Sequence, residues 1–533
     1  MAKEYDAIII GAGHNGLVTA AYLAKAGLDV LVLERRHVVG GSAVSEQVFP
    51  GFTFSVCSYV VSLFRPEIIR DLELPRHGLE ILPMDCSFTP TREGTGLARW
   101  GDPEETRKEL ARFSHRDSEV YPEFSRTMGE MARIVKPILT MTPPDISRPD
   151  LEAVKSLLGI GKRIASLGED LIYVKAQMMT MSALEFLDQW FETDVLKATM
   201  SVSGIIGTFQ SVSSPGTAYV LLHHYMGEID GAFRSWGFSK GGTGALSESI
   251  ASAARSHGAE IRLSSGIQKV LLSGDRATGV VLQNGDEIKG KIVVSGCDPR
   301  LSTLGFIGEE NLDDDFVAMI KRYKFRGSSG KLNLALDAPP NFKCRPGDGP
   351  HIRGDVAIAP SVEYLERAYD DAKYGEFSKR PYLNIVIPTL TDPTLAPPGK
   401  HILSAFVQYA PYNLKNGTWD ERKEEFGETI IDTIAEFAPN IRDIILHKQV
   451  LTPLDLEREF GLTEGNIFHG ELSLEQLFVM RPVPGYARYR TPIRDYYLCG
   501  SGTHPGGGIM GAPGYIAARE ILKDIEQGKV RIQ

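Results

Sequence analysis

The sequence predicts an α/β protein with at least two cores, one on parallel strands and one on a second, mixed sheet covered by helices. Three observations carry this. The chain has 533 residues, and a single hydrophobic core stops growing near roughly 250–300 residues. Its amino end reads as a buried strand, a glycine turn, a helix and a second buried strand. Further along, helical spacing over residues 104–200 gives way to strand-rich sequence over 329–410.

The first strand is Asp6 to Ile10, a short continuous apolar run of the kind buried on both faces. Gly11-Ala-Gly-His-Asn-Gly16 follows at once, then a helix rich in small residues that Gly27 closes, then the strand Val30 to Leu33 and Glu34. In this pattern Gly11 permits the tight turn, Gly13 lets backbone approach a pyrophosphate, and Gly16 lets helix and strand pack closely. The helix amino terminus offers free N–H groups and partial positive charge to that pyrophosphate. Glu34 stands where a carboxylate accepts hydrogen bonds from ribose hydroxyls, and an acid there disfavours NADP. A lone G-x-G-x-x-G is more often an ordinary turn. Here strand, helix, second strand and acid stand in register, so a Rossmann-like unit is expected.

Composition narrows the rest. A net charge of −10 excludes nucleic acid as the main partner, because phosphate binding needs a basic face. The five cysteines form no C-x-x-C pair, which removes a dithiol redox centre and a zinc ribbon and points to a reducing compartment. No apolar run is long enough for a transmembrane helix. The first strand begins close to Met1, so a cytoplasmic location is expected, or an organelle matrix where a presequence has been removed.

After Glu34 the chain reads Arg35-Arg-His-Val-Val-Gly-Gly-Ser-Ala-Val-Ser45. This resembles the second motif of the flavin-containing amine oxidase and phytoene desaturase superfamily, matched by Glu34, Arg36, Gly40, Gly41 and Ser45. Many members place an arginine after the paired glycines, where this chain has Ser42. Lys240-Gly-Gly-Thr-Gly-Ala-Leu246 opens a helix and leads to Ile267-Gln-Lys-Val270; in relatives this strand lays backbone on the adenine, which implicates Val270. A hairpin with Asn284-Gly285 as a type I′ turn is expected next, then the buried strand Ile292 to Ser295. Near the end, Tyr497-Leu-Cys-Gly-Ser-Gly-Thr-His-Pro-Gly-Gly-Gly-Ile-Met510 resembles the carboxy-terminal FAD motif, with no acid between Gly500 and Ala512. Longer phrases such as G-H-N-G-L, L-E-R-R-H-V and G-N-I-F-H-G resemble one phytoene-desaturase-related subfamily, from Tyr5 to Ile521.

The resemblance implies FAD as cofactor, on an FAD/NAD(P)-binding Rossmann-like domain assembled from 1–90, 236–305 and 480–533. Residues 91–235 then form a helical lid and 306–479 a sheet-rich, mixed-sheet substrate domain. It implies FAD contacts from Gly11, Gly13, His14, Asn15 and Gly16; from Glu34, Arg35, Arg36, Gly40, Gly41 and Ser42; and from Val270, Gly500, Ser501, Gly502, Ile509 and Met510. No second dinucleotide fingerprint appears, so oxygen or a quinone is favoured over NAD as electron acceptor.

The catalytic residues are not legible, because hydride transfer to a flavin needs position and dryness more than a fixed triad. His504, in the carboxy-terminal motif, and His469, in G-N-I-F-H-G with Asn466, are weak candidates, each as readily a loop-fixing residue. His223-His224 lacks a completing ligand set, so no metal is assigned. Lys240 reads equally as a solvated lysine. An amine oxidase places two aromatic rings opposite its flavin, and Tyr486, Tyr489, Tyr496 and Tyr497 lie in the right part of the chain without a decisive spacing. A desaturase needs an apolar tunnel, with which the lid and V-L-L-H-H-Y-M are compatible. The reading is an oxidoreductase removing hydride from an apolar or extended small molecule; the alternatives are an amine oxidase and a flavin-stabilised binding protein with little turnover. The stretch Lys155 to Met181 suits peripheral membrane contact, although packing as lid helices is the simpler expectation. Assembly as a homo-oligomer is compatible with all of this.

Overall fold

A computed structural model of the chain describes residues 3–147, 151–165, 169–229, 232–233 and 236–532. The first sheet has seven strands. Glu260–Arg262, Val30–Leu33, Glu4–Ile10, Glu287–Ser295 and Tyr496–Leu498 lie parallel in that order, and the strands Arg276–Leu282 and Ile267–Ser273 extend it as an antiparallel hairpin. The central strand is buried on both faces because its apolar run supplies both. Ala7 and Ile9 point into a core with the helices His14–Lys25, Thr243–Ser256 and Ala512–Glu526, while Ile8 and Ile10 point into a core with Val270, Val280 and Tyr496. Ala20, Ala21, Ala254, Ala517 and Ala518 fill the helical side. Such small side chains let three helices crowd one face.

Three distant stretches thus make one sheet. Thr19 Oγ1 donates to the Gly514 carbonyl (3.0 Å), and a methyl group on Gly514 would lie 2.1 Å from the Asn15 carbonyl oxygen. The first and last helices therefore meet at their amino ends. The hairpin differs from expectation. Gly285 alone takes a left-handed φ (+91°), Leu282 N–H donates to Asp286 O, and Asn284 Oδ1 accepts from Asp286 N–H. This is a three-residue loop with an Asn side chain as its brace, in place of a type I′ turn, which needs positive φ at both central residues.

The second sheet runs Ile445–Leu451, Ser329–Leu336, His401–Gln408, Tyr382–Val386, Asp355–Ile358, Cys86–Pro90 and Gly96–Trp100. It is antiparallel except where Asp355 and Val356 pair with Ser87 and Phe88. The strand Cys86–Pro90 joins this sheet although it falls within 1–90. Helices Val362–Lys373 and Trp419–Phe437 share its core.

Helices over 103–225 pack around Phe124, Met128, Met131, Phe186 and Leu221. Glu169–Thr180 reaches that core through Met178, and in Leu151–Ala165 Ala153 is buried, but Leu151 is 71% exposed, Leu158 60% and Tyr173 63%. Amphipathic spacing foretells an apolar face, not the surface that covers it. Residues 166–168 and the side chains of Glu169 and Asp170, within the Lys155 to Met181 stretch, lie outside the described residues.

Candidate cofactor and substrate site

One cavity runs from the carboxy ends of the parallel strands to the second sheet, the place where open α/β sheets bind ligands. Gly11 has φ +90° and its N–H donates to Leu33 O (2.8 Å), which turns the chain sharply off the first strand. A methyl on Gly16 would come 2.3 Å from the Gly11 carbonyl oxygen, so only glycine lets the helix start there. Gly13 faces open space, with no atom within 4 Å of where its Cβ would be. Gly40 N–H donates to Ala12 O, and a methyl on Gly41 would come 3.3 Å from Gly13 Cα. The two glycine turns thus form the two lips of one slot. Ser42 follows on the wall, its carbonyl accepting from Ser58 Oγ (3.2 Å).

Glu34 is buried and accepts from two backbone groups, Ala12 N–H at 2.8 Å and Arg36 N–H at 2.9 Å. Those bonds fix the carboxylate beside the slot with lone pairs to spare. Arg36 pairs with Glu46 (2.6 Å) and lies 4.7 Å from the centre of the Phe460 ring, leaving Nη1 buried without a partner. Asn15 Nδ2 donates to Ser501 Oγ (3.1 Å), while its Oδ1 has no partner. His14 Nε2 and His469 Nδ1 are likewise buried and unpartnered. Buried polar atoms rarely stay so. A long ligand with phosphate acceptors and ribose hydroxyl donors would satisfy them, and the open glycine slot would admit its diphosphate.

Of the residues implicated by sequence, Gly11, Gly13, His14, Asn15, Gly16, Glu34, Arg35, Arg36, Gly40, Gly41, Ser42, Ser501, Ile509 and His469 share this cavity. Others stand behind its wall. Val270 N–H is bonded to Phe306 O (2.9 Å) and its side chain is in the core; Ser265, Ile267 and Gln283 line that end instead. Gly500 and Gly502 press against Gly296 and Pro299, and Met510 packs on Leu63. His504 Nε2–H donates to Ile138 O (2.8 Å), tying the glycine-rich segment to the helical region. Asn466 braces its own turn, accepting from Phe468 and Gly470 N–H. Lys240 pairs with Glu80 at the surface. Tyr489, Tyr496 and Tyr497 donate to His504 O, Ser302 O and Asp524, and Tyr486 packs on Phe316. None of these four tyrosines lines the cavity.

Burial sets the electrostatics. It lowers His14 and His224 to about 4 and His469 and His223 to about 3, so these rings are neutral in water near pH 7. It pushes the Cys297 thiol up to about 12. His224 Nδ1–H donates to Val220 O (3.0 Å) and its ring stacks on Phe468.

Two cations escaped sequence reasoning. Lys331, in the strand Ser329–Leu336, donates to Cys57 O (3.0 Å) and Ser58 O (3.1 Å), and burial draws its pKa down to about 7. Its one signal is a charge inside a fully buried strand rich in leucine. Arg481 is fully buried and donates to the carbonyls of Phe468, Gly470, Glu471, Gln476 and Ser501. It joins the Phe468–His469 wall to the Ser501 wall, and no local pattern announces it.

The profile of an NAD(P)-binding Rossmann-like domain matches residues 9–72, and that of the flavin-containing amine oxidoreductases matches 106–522. The chain is 42% identical to pyridine nucleotide-disulfide oxidoreductase domain-containing protein 2 of Rattus norvegicus, over 99% of this chain and 94% of the relative. It is 27% identical to a limonene dehydrogenase polypeptide of Castellaniella defragrans, over 98% and 95%. An oxidoreductase from Methanosarcina mazei shares the fold, with a TM-score of 0.61 at 16% identity over 97% of this chain and 99% of that one. The slot, the acid beside it and the unpartnered atoms around it fit the cofactor of that family, and the chain belongs to the flavin-containing amine oxidoreductases as an FAD-dependent oxidoreductase.

Proposed function

We propose that this protein removes a hydride from a C–H bond of an apolar, extended small molecule, as a dehydrogenase or desaturase. The wall of the cavity beyond the glycine slot carries this reading. Tyr59, Leu63, Ile206, Trp236, Phe406 and Phe468 form it, and the one carboxylate on the described lining, Glu34, is at the other end. A charged substrate would lose its water there without gaining a partner. Bound FAD supplies the hydride acceptor. The chain's own residues supply a dry, rigid surface that holds the substrate carbon in place. Lys331 fixes the Cys57–Tyr59 wall, and His224 backs Phe468. Limonene, named for a relative, is a neutral unsaturated hydrocarbon of the class this wall suits. Oxygen or a quinone is the proposed acceptor, since the sequence holds a single dinucleotide fingerprint.

A second reading, amine oxidation, has one observation in its favour: Tyr59 and Phe406 form an aromatic pair on the wall, with centroids 6.1 Å apart and planes 27° apart. Anaerobic mixing decides between them. Neutral polyenes or cyclic terpenes should bleach the flavin absorbance and amines should not. Bleaching by amines alone overturns the first reading.

We also propose that the exposed face of Leu151–Ala165 rests on a membrane surface. Leu151, Val154 and Leu158 recur on one helical face beside the exposed Lys155 and Lys162. The purified protein should float with anionic vesicles, more weakly with neutral ones, and not at all as Leu157→Glu/Leu158→Glu. Equal flotation of that variant sinks the proposal. No helix among the described residues is long and apolar enough to cross a membrane.

A further inference from the structure

The cavity that takes FAD is short of positive charge where a diphosphate lies. On its described lining the groups with a fixed charge are Glu34, Arg35 and Arg36. Arg36 is paired with Glu46, and Arg35 is exposed and donates to the Glu459 carbonyl (2.8 Å). The amino end of the helix His14–Lys25 contributes about half a charge. A diphosphate brings roughly two negative charges, so one more cation is called for.

Two imidazoles from distant parts of the chain stand in this cavity. His14 is the first residue of the helix, with one ring nitrogen toward the Gly508 backbone and Nε2 buried without a partner. His469 sits at φ +55° on the turn that Asn466 braces, and its Nδ1 also lacks a partner. Both line the same cavity, and His14 opposes the charging of His469. In the structure burial holds both neutral, and Arg481 behind the wall adds to the effect at His469. Of the other groups here, Glu34 is committed to two backbone N–H bonds and His224 to the Val220 carbonyl, the Cys297 thiol is far from ionising, and Arg36 keeps one free nitrogen beside its pairing with Glu46. A diphosphate reverses the balance at the two rings, because a nearby anion favours the charged form.

We propose that His14 and His469 form a proton-gated diphosphate clamp: on binding FAD, one imidazole takes a proton from solvent and the resulting imidazolium hydrogen-bonds the diphosphate. The inference rests on the FAD site described above, and nothing covalent changes. The consequence is a linkage between affinity and pH.

Titration of the FAD-free protein with FAD, by calorimetry in two buffers of different ionisation heat at one pH, counts the protons. About one proton should be taken up per FAD, and the same for ADP-ribose, which carries the diphosphate diester without the flavin. His14→Gln/His469→Gln should bind FAD with no uptake. No uptake by the unsubstituted protein, full uptake by the double variant, or uptake with FAD but not ADP-ribose each overturns the proposal. Where the double variant does not fold, the unsubstituted protein still decides: its FAD dissociation constant should rise with pH between 6 and 8.5, by up to about tenfold per unit, and a flat profile overturns the clamp. Failure to retain FAD at any pH overturns the cofactor assignment as well, and is distinguished by the absence of any binding heat.

Discussion

The two ends of the cavity are built on opposite plans. At the glycine slot, backbone is the surface: Gly11, Gly13, Gly40 and Gly41 bring main chain to the cavity, and Glu34 is fixed by main-chain N–H groups. At the far end, side chains are the surface, and their polar supports are hidden one layer back, as Lys331 and Arg481 are. The first plan tolerates little change of shape. The second lets the shapes of a few rings set what fits, so the slot should be brittle to substitution and the far end tunable.

The largest effect is expected at the slot. Gly16→Val sets a side chain 2.3 Å from the Gly11 carbonyl oxygen and should abolish FAD retention, read as flavin per protein after gel filtration. Near-normal retention would break the comparison. Arg481→Met comes next. It removes donors from five buried carbonyls and should lower stability by about 3–5 kcal/mol, measured by denaturant unfolding. Glu34→Gln keeps shape and loses charge, and should weaken FAD by roughly tenfold, about 1.4 kcal/mol. Lys331→Met probes the hidden layer through pH. A lysine with its folded pKa drawn down to about 7 binds fewer protons folded than unfolded between pH 7 and its ordinary 10.5, so stability rises with pH across that window. The variant should lose that rise in thermal scans while retaining FAD. Smallest is Phe406→Leu, which should leave FAD binding unchanged and alter only the ranking of substrates that bleach the flavin.

The same division explains what could be read in advance. Gly11 to Gly16 and Glu34 were legible because neighbouring residues carry one lip of the slot: a turn, a helix start and an acid at a strand end. His14 and His469 were separately visible as residues, but their meeting depends on a turn that Asn466 braces hundreds of positions from the first helix. Arg481 donates to carbonyls, which every residue has, so its partners leave no trace in sequence. Asn284-Gly285 shows the limit at short range. The dipeptide marks a hairpin correctly, yet the side chain of Asn284 bonding to Asp286 N–H selects a longer loop. The exposed Leu151 and Leu158 show it at long range, since a pattern of spacing says nothing about what, if anything, covers a face.

The closing of the first sheet by Tyr496–Leu498 and of its helical layer by Ala512–Glu526 has a consequence for how the protein is made. Synthesis proceeds at about 5–20 residues per second, amino end first. The glycine turn and Glu34 leave the ribosome early, but the Ser501 wall and the helix that meets the first one at Asn15 leave last. Through most of translation the nascent chain owns half a cofactor site, with an unpaired edge at Val293 to Ser295 waiting for its neighbour. The sheet and the Ser501 wall are therefore completed only by the last residues of the chain, so a truncation before the closing strand removes one side of the cavity as well as a strand.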